Sequence, residues 1–375
     1  MRILAQALVA ARGGSVTVLR DFIASWPTED DLLVICWRPE AAEILAATGV
    51  PVVTVRARST ESALVRLALD RPQSLRGFDP DVVWSQATLM PRCSVPQAIH
   101  HQDIGSFTDL HPPTLRQRLK LAQQARDLRR ADLTITNSEV LRRAIAERHP
   151  EVGRTVVIRN GFDLRPFDDA ASDPEAPHTT PHVLVPQTGA PHKRNALVAD
   201  VLAALLEDPL SPFARVRLTV AGFGDYRDLR SRLLALRLPV SAEFTGYVSR
   251  AEMAGLYASA NAVLITSAGE SFCNPIIEAH AAGRPVVTAP FPVARELAGP
   301  MSLVATSFQA NALAAELRHA LEPARWTAAV RAAGRRHAHR FLAEQQAATL
   351  RAELAGLRHL GHGPAAGQSA PWREG

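Results

Sequence analysis

The chain has 375 residues, 47% hydrophobic and 21% charged, with 42 Lys and Arg against 37 Asp and Glu for a net charge of +5. That balance excludes a disordered or fibrous chain and suits two globular domains, each with its own core. Cys36, Cys93 and Cys273 are odd in number and widely spaced, which excludes a disulfide framework and a cysteine zinc site and predicts a reducing, cytoplasmic setting.

The first residues loosely mimic a secretory leader, but Gln6 interrupts the apolar stretch and Arg12 closes it, so residues 2–8 read as a β-strand. No run of about eighteen apolar residues follows, so a soluble chain with no membrane-spanning helix is expected. Gly13 and Gly14 follow the first strand and open a helix near Ser15. Further strands are predicted at 32–37, 51–55, 81–85, 97–101, 133–136 and 155–158, with helical patterns in most of the gaps. Asp79 and Asp81 form a D-x-D pair, but they precede an apolar strand rather than sit in a metal loop, so no metal site is assigned. His100 and His101 close the 97–101 strand, where an imidazole could bond a hydroxyl. The loop 105–113 carries no readable pattern.

Leu115, Leu119, Ala122 and Ala125 recur at helical spacing, which predicts an amphipathic helix over 115–130. Its basic face would hold Arg116, Arg118, Lys120, Arg126, Arg129 and Arg130 against Asp127 alone. Such a face suits solvent, or peripheral contact with an anionic membrane or acceptor. No aromatic-rich basic motif accompanies it, so no nucleic-acid partner is expected. Asn160, Gly161 and Asp163 form a turn, read as structural. Over 168–182 Asp, Ala, Ser, Pro, Glu, Thr and His crowd together without periodicity, which reads as a linker.

Beyond it, strands are predicted at 183–185, 217–221, 262–266, 285–288 and 302–304, again alternating with helices, so both halves should be parallel sheets covered on both faces. Lys193 and Arg194 lie in a loop between a strand and a helix, where a lysine can neutralise a diphosphate. Gly222 and Gly224 follow an apolar strand, and Tyr247 follows the segment Phe244 to Gly246. The most informative run is ESFCNPIIEAHAAGRPVV, residues 270–287. Asn274 suits an N-cap, Pro275 the first helical position, and Gly283 the left-handed stop before Arg284 and Pro285. Glu270 and Glu278 then flank a helix N-terminus that favours anions, which fits a ligand carrying both phosphates and hydroxyls, such as a nucleotide sugar.

In register with its cap, stop and next strand, this run resembles the donor-site signature of retaining glycosyltransferases of family 4. The resemblance implies the α/β GT-B fold, with two doubly wound Rossmann-like domains facing each other across a cleft. Residues 1–167 would form the acceptor-side domain, 168–182 the linker and 183–325 the nucleotide-sugar domain. Residues 326–360 would be C-terminal helices crossing back toward the first domain, and the Pro- and Gly-rich 361–375 a disordered tail.

The implied reaction moves a sugar from a nucleoside-diphosphate sugar to a hydroxyl of a saccharide, lipid-linked or small-molecule acceptor, with retention, no cofactor and no metal. Lys193 and Glu270 would act on the leaving group and the sugar, and His100 or His101 beside the reacting sugar. Gly13, Gly14, Arg194, Gly222, Gly224, Tyr247, Phe272, Cys273, Asn274 and Glu278 would line the donor, with Glu278 on the ribose. The family usually has an arginine five residues before the lysine; this chain has Thr188, so either Arg194 or the helix N-terminus supplies that charge, or donor affinity is lower. The alternatives are a sugar-nucleotide epimerase or hydrolase on the same fold, or a binding protein without turnover.

Overall fold

A computed structural model describes residues 1–8, 14–69, 77–91, 93–106, 115–170 and 180–358. The chain forms two compact units, Met1–Phe162 with Leu342–Gly375, and Asp163–Phe341. In the first, strands β1 (Arg2–Gln6), β2 (Asp31–Cys36), β3 (Val52–Thr54), β4 (Val82–Gln86), β5 (Gln97–His101), β6 (Leu133–Thr136) and β7 (Thr155–Val157) make one sheet. Its order is β3-β2-β1-β4-β5-β6-β7 and every pair is parallel. Helices α1 (Gly14–Ala24), α2 (Pro39–Ala46), α3 (Thr60–Leu69), α4 (Leu115–Arg130) and α5 (Glu139–Arg148) make the crossovers. β4 and β5 are buried at every residue, so Ser85, Gln86, Gln97, His100 and His101 lie inside with the apolar side chains and neither strand shows a solvent-facing alternation.

The second unit opens with α6 (Arg165–Ala170) and repeats the plan with β8 (His182–Val185), α7 (Ala196–Glu207), β9 (Val216–Ala221), α8 (Arg227–Ala235), β10 (Val240–Gly246) and α9 (Arg250–Ser259). It continues through β11 (Ala262–Ile265), α10 (Asn274–Ala281), β12 (Val286–Thr288), α11 (Pro292–Leu297), β13 (Ser302–Val304), α12 (Ala310–Ala320) and α13 (Ala328–Ala338). The sheet order β10-β9-β8-β11-β12-β13 reverses its winding between β8 and β11, as the first sheet does between β1 and β4. Ligands of doubly wound sheets bind outside the strand ends at such a reversal.

Each expected strand is present to within two residues, and β10 is one the sequence pattern does not announce. It is an edge strand whose Ser241, Ala242 and Glu243 are exposed, so it carries no apolar run. The chain changes unit at Phe162, ahead of the expected linker, because α6 packs on α9 of the second unit through Phe167 and Tyr257, ring centres 5.6 Å apart. The remaining linker residues 171–179 and the tail 361–375 lie outside the described residues.

The region 326–360 also divides. α13 stays in the second unit against α10, while α14 (Ala343–Arg358) belongs to the first. Its buried Ala343, Ala347, Leu350, Leu354 and Leu357 form one helical face, and the helix packs on α1 and β4. The fully buried Asp30 carboxylate accepts from Arg351 at 2.6 and 3.1 Å and from the Trp26 indole at 3.1 Å. At the crossing point the Ala343 N–H donates to the Phe162 carbonyl at 3.0 Å. A side chain at Gly161 would place its Cβ 2.7 Å from the Ala343 Cα, so this glycine is a packing requirement.

α4 faces the other way from its apolar spacing. Leu115 and Leu119 are 74% and 66% exposed, while Gln124, Asp127 and Leu128 are buried. Leu128 joins a cluster with Leu89, Ile99, Leu141 and Ile145. Asp127 accepts from Thr88 Oγ1 at 2.8 Å and the Leu89 N–H at 3.3 Å, and from Gln123 Nε2 of its own helix at 2.8 Å, so this carboxylate and Leu128 together fix the helix to the sheet.

Among the described residues His100, His101, His182 and His280 are buried, and burial holds each ring below its usual pKa. His280 on α10 bonds the Ile276 carbonyl through Nδ1 at 2.7 Å, and its Nε2 accepts from the Met301 N–H at 3.3 Å. Burial pushes its pKa down to about 4, and burial likewise pushes His100 to about 3 and His101 to about 4. The folded values lie below the unfolded one, so this stability is present above about pH 6.5 and is lost as pH falls toward about 4, where the unfolded chain binds more protons. Urea melts at pH 8 and pH 4.5 should differ by several kcal/mol. A free energy of unfolding that stays level between those pH values would contradict the burial of neutral histidines.

Candidate functional site

The loops after β8 and β11 flank the winding reversal of the second sheet, and each brings one charged side chain to it. Lys193 Nζ donates to Glu270 Oε1 at 2.5 Å, with the two side chains 18% and 11% exposed. The pair is shielded but open enough to meet a ligand. The ammonium has three N–H groups, so donors remain after the carboxylate has taken one.

The Lys193 loop is held by a buried amide. Gln187 Nε2 lies 2.8 Å from Asn195 Oδ1, 3.0 Å from Thr266 Oγ1 and 3.3 Å from the Lys193 carbonyl. Thr266 Oγ1 also donates to the Lys193 carbonyl at 2.8 Å, which ties the loop after β8 to the end of β11. Asn195 Nδ2 donates to the Thr188 carbonyl at 2.9 Å. Arg194 follows in the left-handed region at φ 51°, a conformation unfavourable for a residue with a Cβ and sustained here by these bonds. Its guanidinium lies over the Phe308 ring, 5.3 Å from the centre.

Gly222 and Gly224, with φ of +154° and +126°, pack against the same loop. A Cβ on Gly222 would come 2.6 Å from the Gln187 carbonyl oxygen, and one on Gly224 would come 2.7 Å from the Gly189 nitrogen. Gly189 answers with a Cβ position 2.3 Å from the Asp225 nitrogen, and its N–H donates to the Phe223 carbonyl at 3.0 Å. These glycines therefore allow two main-chain loops to touch. Tyr226 completes the seam by donating its hydroxyl to the Gln187 carbonyl at 2.7 Å.

α10 begins at Asn274, with Cys273 in the cap position and no side-chain cap bond. Asn274 is therefore the first helical residue rather than the expected N-cap. Gly283 takes the left-handed stop at φ 67°, as its position predicts. Cys273 is buried and burial raises its thiol pKa, so it is not a thiolate nucleophile. Phe272 is buried edge-on to Phe341 at 5.9 Å. Glu278, one turn into the helix, accepts from the Tyr257 hydroxyl at 2.9 Å. Burial first, then the Glu278 charge, pushes the Tyr257 pKa well above its usual value, so the phenol stays a donor. Tyr247 is 64% exposed after β10 and is not part of the core.

In the first unit, Gly14 opens α1, while Gly13 and residues 107–113 of the 105–113 loop lie outside the described residues. Strand alternation sends His100 and His101 to opposite faces of the sheet. The His100 ring packs between Phe22 and Trp84, at 6.4 and 6.1 Å, which makes it a member of an aromatic core. His101 is equally buried, with Asp103 raising its pKa against the stronger effect of burial, and His149 and Lys120 lowering it. Asp81 accepts from the Arg2 backbone N–H at 2.8 Å and Asp79 pairs with the Arg2 guanidinium at 3.2 Å, so the D-x-D pair is engaged in the fold.

Tyr257, Gln187, Asn195 and Thr266 carry no role in the sequence reading. Tyr257 and Thr266 act on residues of other segments, and Gln187 and Asn195 brace the Lys193 loop from its two ends, through bonds that no local spacing announces.

Comparison with known proteins follows this geometry. The family model for glycosyl transferases group 1 matches residues 184–323, and that for glycosyltransferase family 4 matches residues 3–165. A GDP-mannose-dependent alpha-mannosyltransferase of Mycolicibacterium smegmatis is 30% identical over 258 residues, 64% of this chain and 63% of the relative, so the match spans less than two thirds of that protein. Among solved structures, HepE from Anabaena in complex with UDP and glucose aligns at a TM-score of 0.73 and 21% identity, covering 95% of this chain and 100% of that one. Sucrose-phosphate synthase from Thermosynechococcus elongatus aligns at a TM-score of 0.76 and 17% identity, covering 96% of this chain and 100% of that one. With a parallel sheet wound twice in each unit and a family model matched in each, the chain belongs to the group 1, family 4 glycosyltransferases of the GT-B fold.

Proposed function

We propose that the protein transfers a glycosyl group from a nucleoside-diphosphate sugar to an acceptor hydroxyl, with retention at the anomeric carbon. The observation that carries this reading is the Lys193–Glu270 pair at the sheet reversal, on the loops after β8 and β11, with Glu278 one turn into the helix after β11. The bond between the anomeric carbon and the β-phosphate oxygen breaks, and a bond from that carbon to the acceptor oxygen forms. The departing diphosphate takes the acceptor proton on the same face of the sugar. Negative charge grows on the leaving oxygen, and a cation already held in place stabilises it without reorganising. Lys193 supplies that cation, and Glu270 both aims it and offers a carboxylate to the sugar hydroxyls. The charge missing at Thr188 is assigned to the N-terminus of α10, through Phe272, Cys273 and Asn274, because the Arg194 guanidinium is engaged with Phe308. The histidine beside the reacting sugar is assigned to the end of β5, where His100 packs among aromatics and His101 is buried on the opposite face of the sheet.

The relatives' names point to two donors, GDP-mannose for the mannosyltransferase and UDP with glucose for HepE. A thermal-shift screen of GDP-, UDP-, ADP- and dTDP-sugars identifies the base for this chain. Tyr247, exposed beside β10, is the aromatic assigned to it, and Gly222 and Gly224 shape the loop beneath. The acceptor is assigned to the first unit, where Gly14 opens the helix after β1. Sugar released from the donor at the full rate without an acceptor would replace transfer by hydrolysis or epimerisation.

Lys193→Ala should lower kcat by roughly a hundredfold or more, the scale for losing a preorganised electrostatic stabiliser. An unchanged kcat with only a raised KM would mean the lysine binds donor and transition state alike.

Glu278, oriented by Tyr257, is assigned to the ribose hydroxyls. Glu278→Gln should weaken nucleotide binding by about 1–3 kcal/mol, the scale for a charge-assisted hydrogen bond. Tyr257→Phe should weaken it less, and calorimetry with the free nucleoside diphosphate measures both. Wild-type affinity in the glutamine variant would remove Glu278 from the site.

The reaction is assigned no metal, because Lys193 and the helix terminus act on the diphosphate where a divalent ion otherwise would. Rates in excess EDTA should equal those with magnesium or manganese. Activity lost on chelation and restored by either ion would overturn that assignment.

A further inference from the structure

α4 is fixed to its sheet by Asp127 and Leu128, and this leaves its apolar and cationic residues together on the outside. Leu115, Leu119 and Ala122 stand on one exposed stripe, which Arg126 and Arg129 continue at helical spacing. Arg118, Lys120 and Arg130 flank it, all exposed. Asp127, the helix's acidic residue, is turned inward and bonded to Thr88, Leu89 and Gln123. Arg129 also reaches Glu151 at 3.3 Å across an exposed surface, a weak tie that a stronger anion can replace.

We propose that this face docks the protein on an anionic lipid surface. Leu115 and Leu119 enter the boundary between headgroups and acyl chains, and the five cations Arg118, Lys120, Arg126, Arg129 and Arg130 lie on the headgroups. A solvated helix gains nothing from two leucines one turn apart among cations, whereas an interfacial helix uses both. Nucleic acid would use the cations and not the leucines. Two leucines on a convex helix face are also far short of the roughly 1,000 Å² that a specific protein interface buries. The apolar contribution is small, so attachment should be led by charge, sensitive to salt and reversible. Its binding is read without donor or acceptor.

The test is flotation of the full chain with vesicles of phosphatidylcholine alone, or with about 30% phosphatidylglycerol, at about 0.05 M and about 0.5 M NaCl. The wild type should float with the anionic vesicles at low salt and stay in solution with the neutral ones. Arg126→Gln combined with Arg130→Gln should reduce partitioning by roughly twenty-five-fold, at about fivefold per cation. Leu115→Ser combined with Leu119→Ser, with the charge untouched, should reduce it by at least about fivefold. All four residues are exposed, so unchanged melting curves should accompany both variants. Absence of flotation with anionic vesicles overturns the proposal. Equal flotation of the leucine variant overturns the insertion of those residues and leaves charge adsorption alone. Binding of duplex DNA, with vesicles unbound and the leucine variant unaffected, would reassign the face to nucleic acid.

Discussion

Everything described in the second unit depends on one constraint: β8 and β11 are neighbours in the sheet, and the chain leaves them in opposite directions. Two loops that start side by side and diverge leave a gap at the strand ends, and Lys193 and Glu270 meet across it. A charge pair this shielded stabilises the fold little, because the cost of taking both groups from water offsets their attraction. Its value lies in orientation. The neighbouring carbonyls, hydroxyls and amides of Gln187, Asn195 and Thr266 spend their bonding capacity on fixing the lysine loop, including the unfavourable backbone of Arg194. The tight glycine contacts among residues 189, 222 and 224 serve the same end one loop further out.

How far this was legible in the sequence follows from the range of each interaction. The parallel α/β plan was readable, because strands buried on both faces leave unbroken apolar runs and their helices fill the gaps. The acids at 270 and 278 and the lysine at 193 were readable because strand, loop and helix come in fixed order around them. β10 was not, since an exposed edge strand needs no apolar run. The facing of α4 was misread because its inner side carries Gln124, Asp127 and the single Leu128, and an apolar-spacing argument gives weight to the leucines at 115 and 119. The adjacent histidines read alike in sequence, whereas strand alternation puts His100 against Phe22 and Trp84 and His101 on the other face. Asn274 missed the cap by one residue, a shift in which Pro275 still falls inside the first turn.

The glycines divide in an instructive way. Gly283 is required by a backbone angle that side chains avoid, and its place after a helix announces it. Gly189, Gly222 and Gly224 are required by one another, through approaches between loops remote in sequence. A Gly-x-Gly beside a strand is easily taken as making room for phosphate. Here the directions a side chain would take are filled by protein main chain.

The return of the chain at Leu342 has a consequence for synthesis. α14 covers α1 and β4, elements made near the start of translation, yet it follows the whole second unit in the sequence. While residues 163–341 are being made, the nascent first sheet is already out with its covering helix absent. Its apolar surface stays open for the ~10–30 s that this stretch takes at bacterial-like elongation rates of about 5–20 residues per second. The second unit, continuous in sequence, has no such wait and can close as soon as α13 emerges. Biogenesis therefore runs in the reverse of sequence order: the unit begun first is finished last, and the interval is when a chaperone has most to protect.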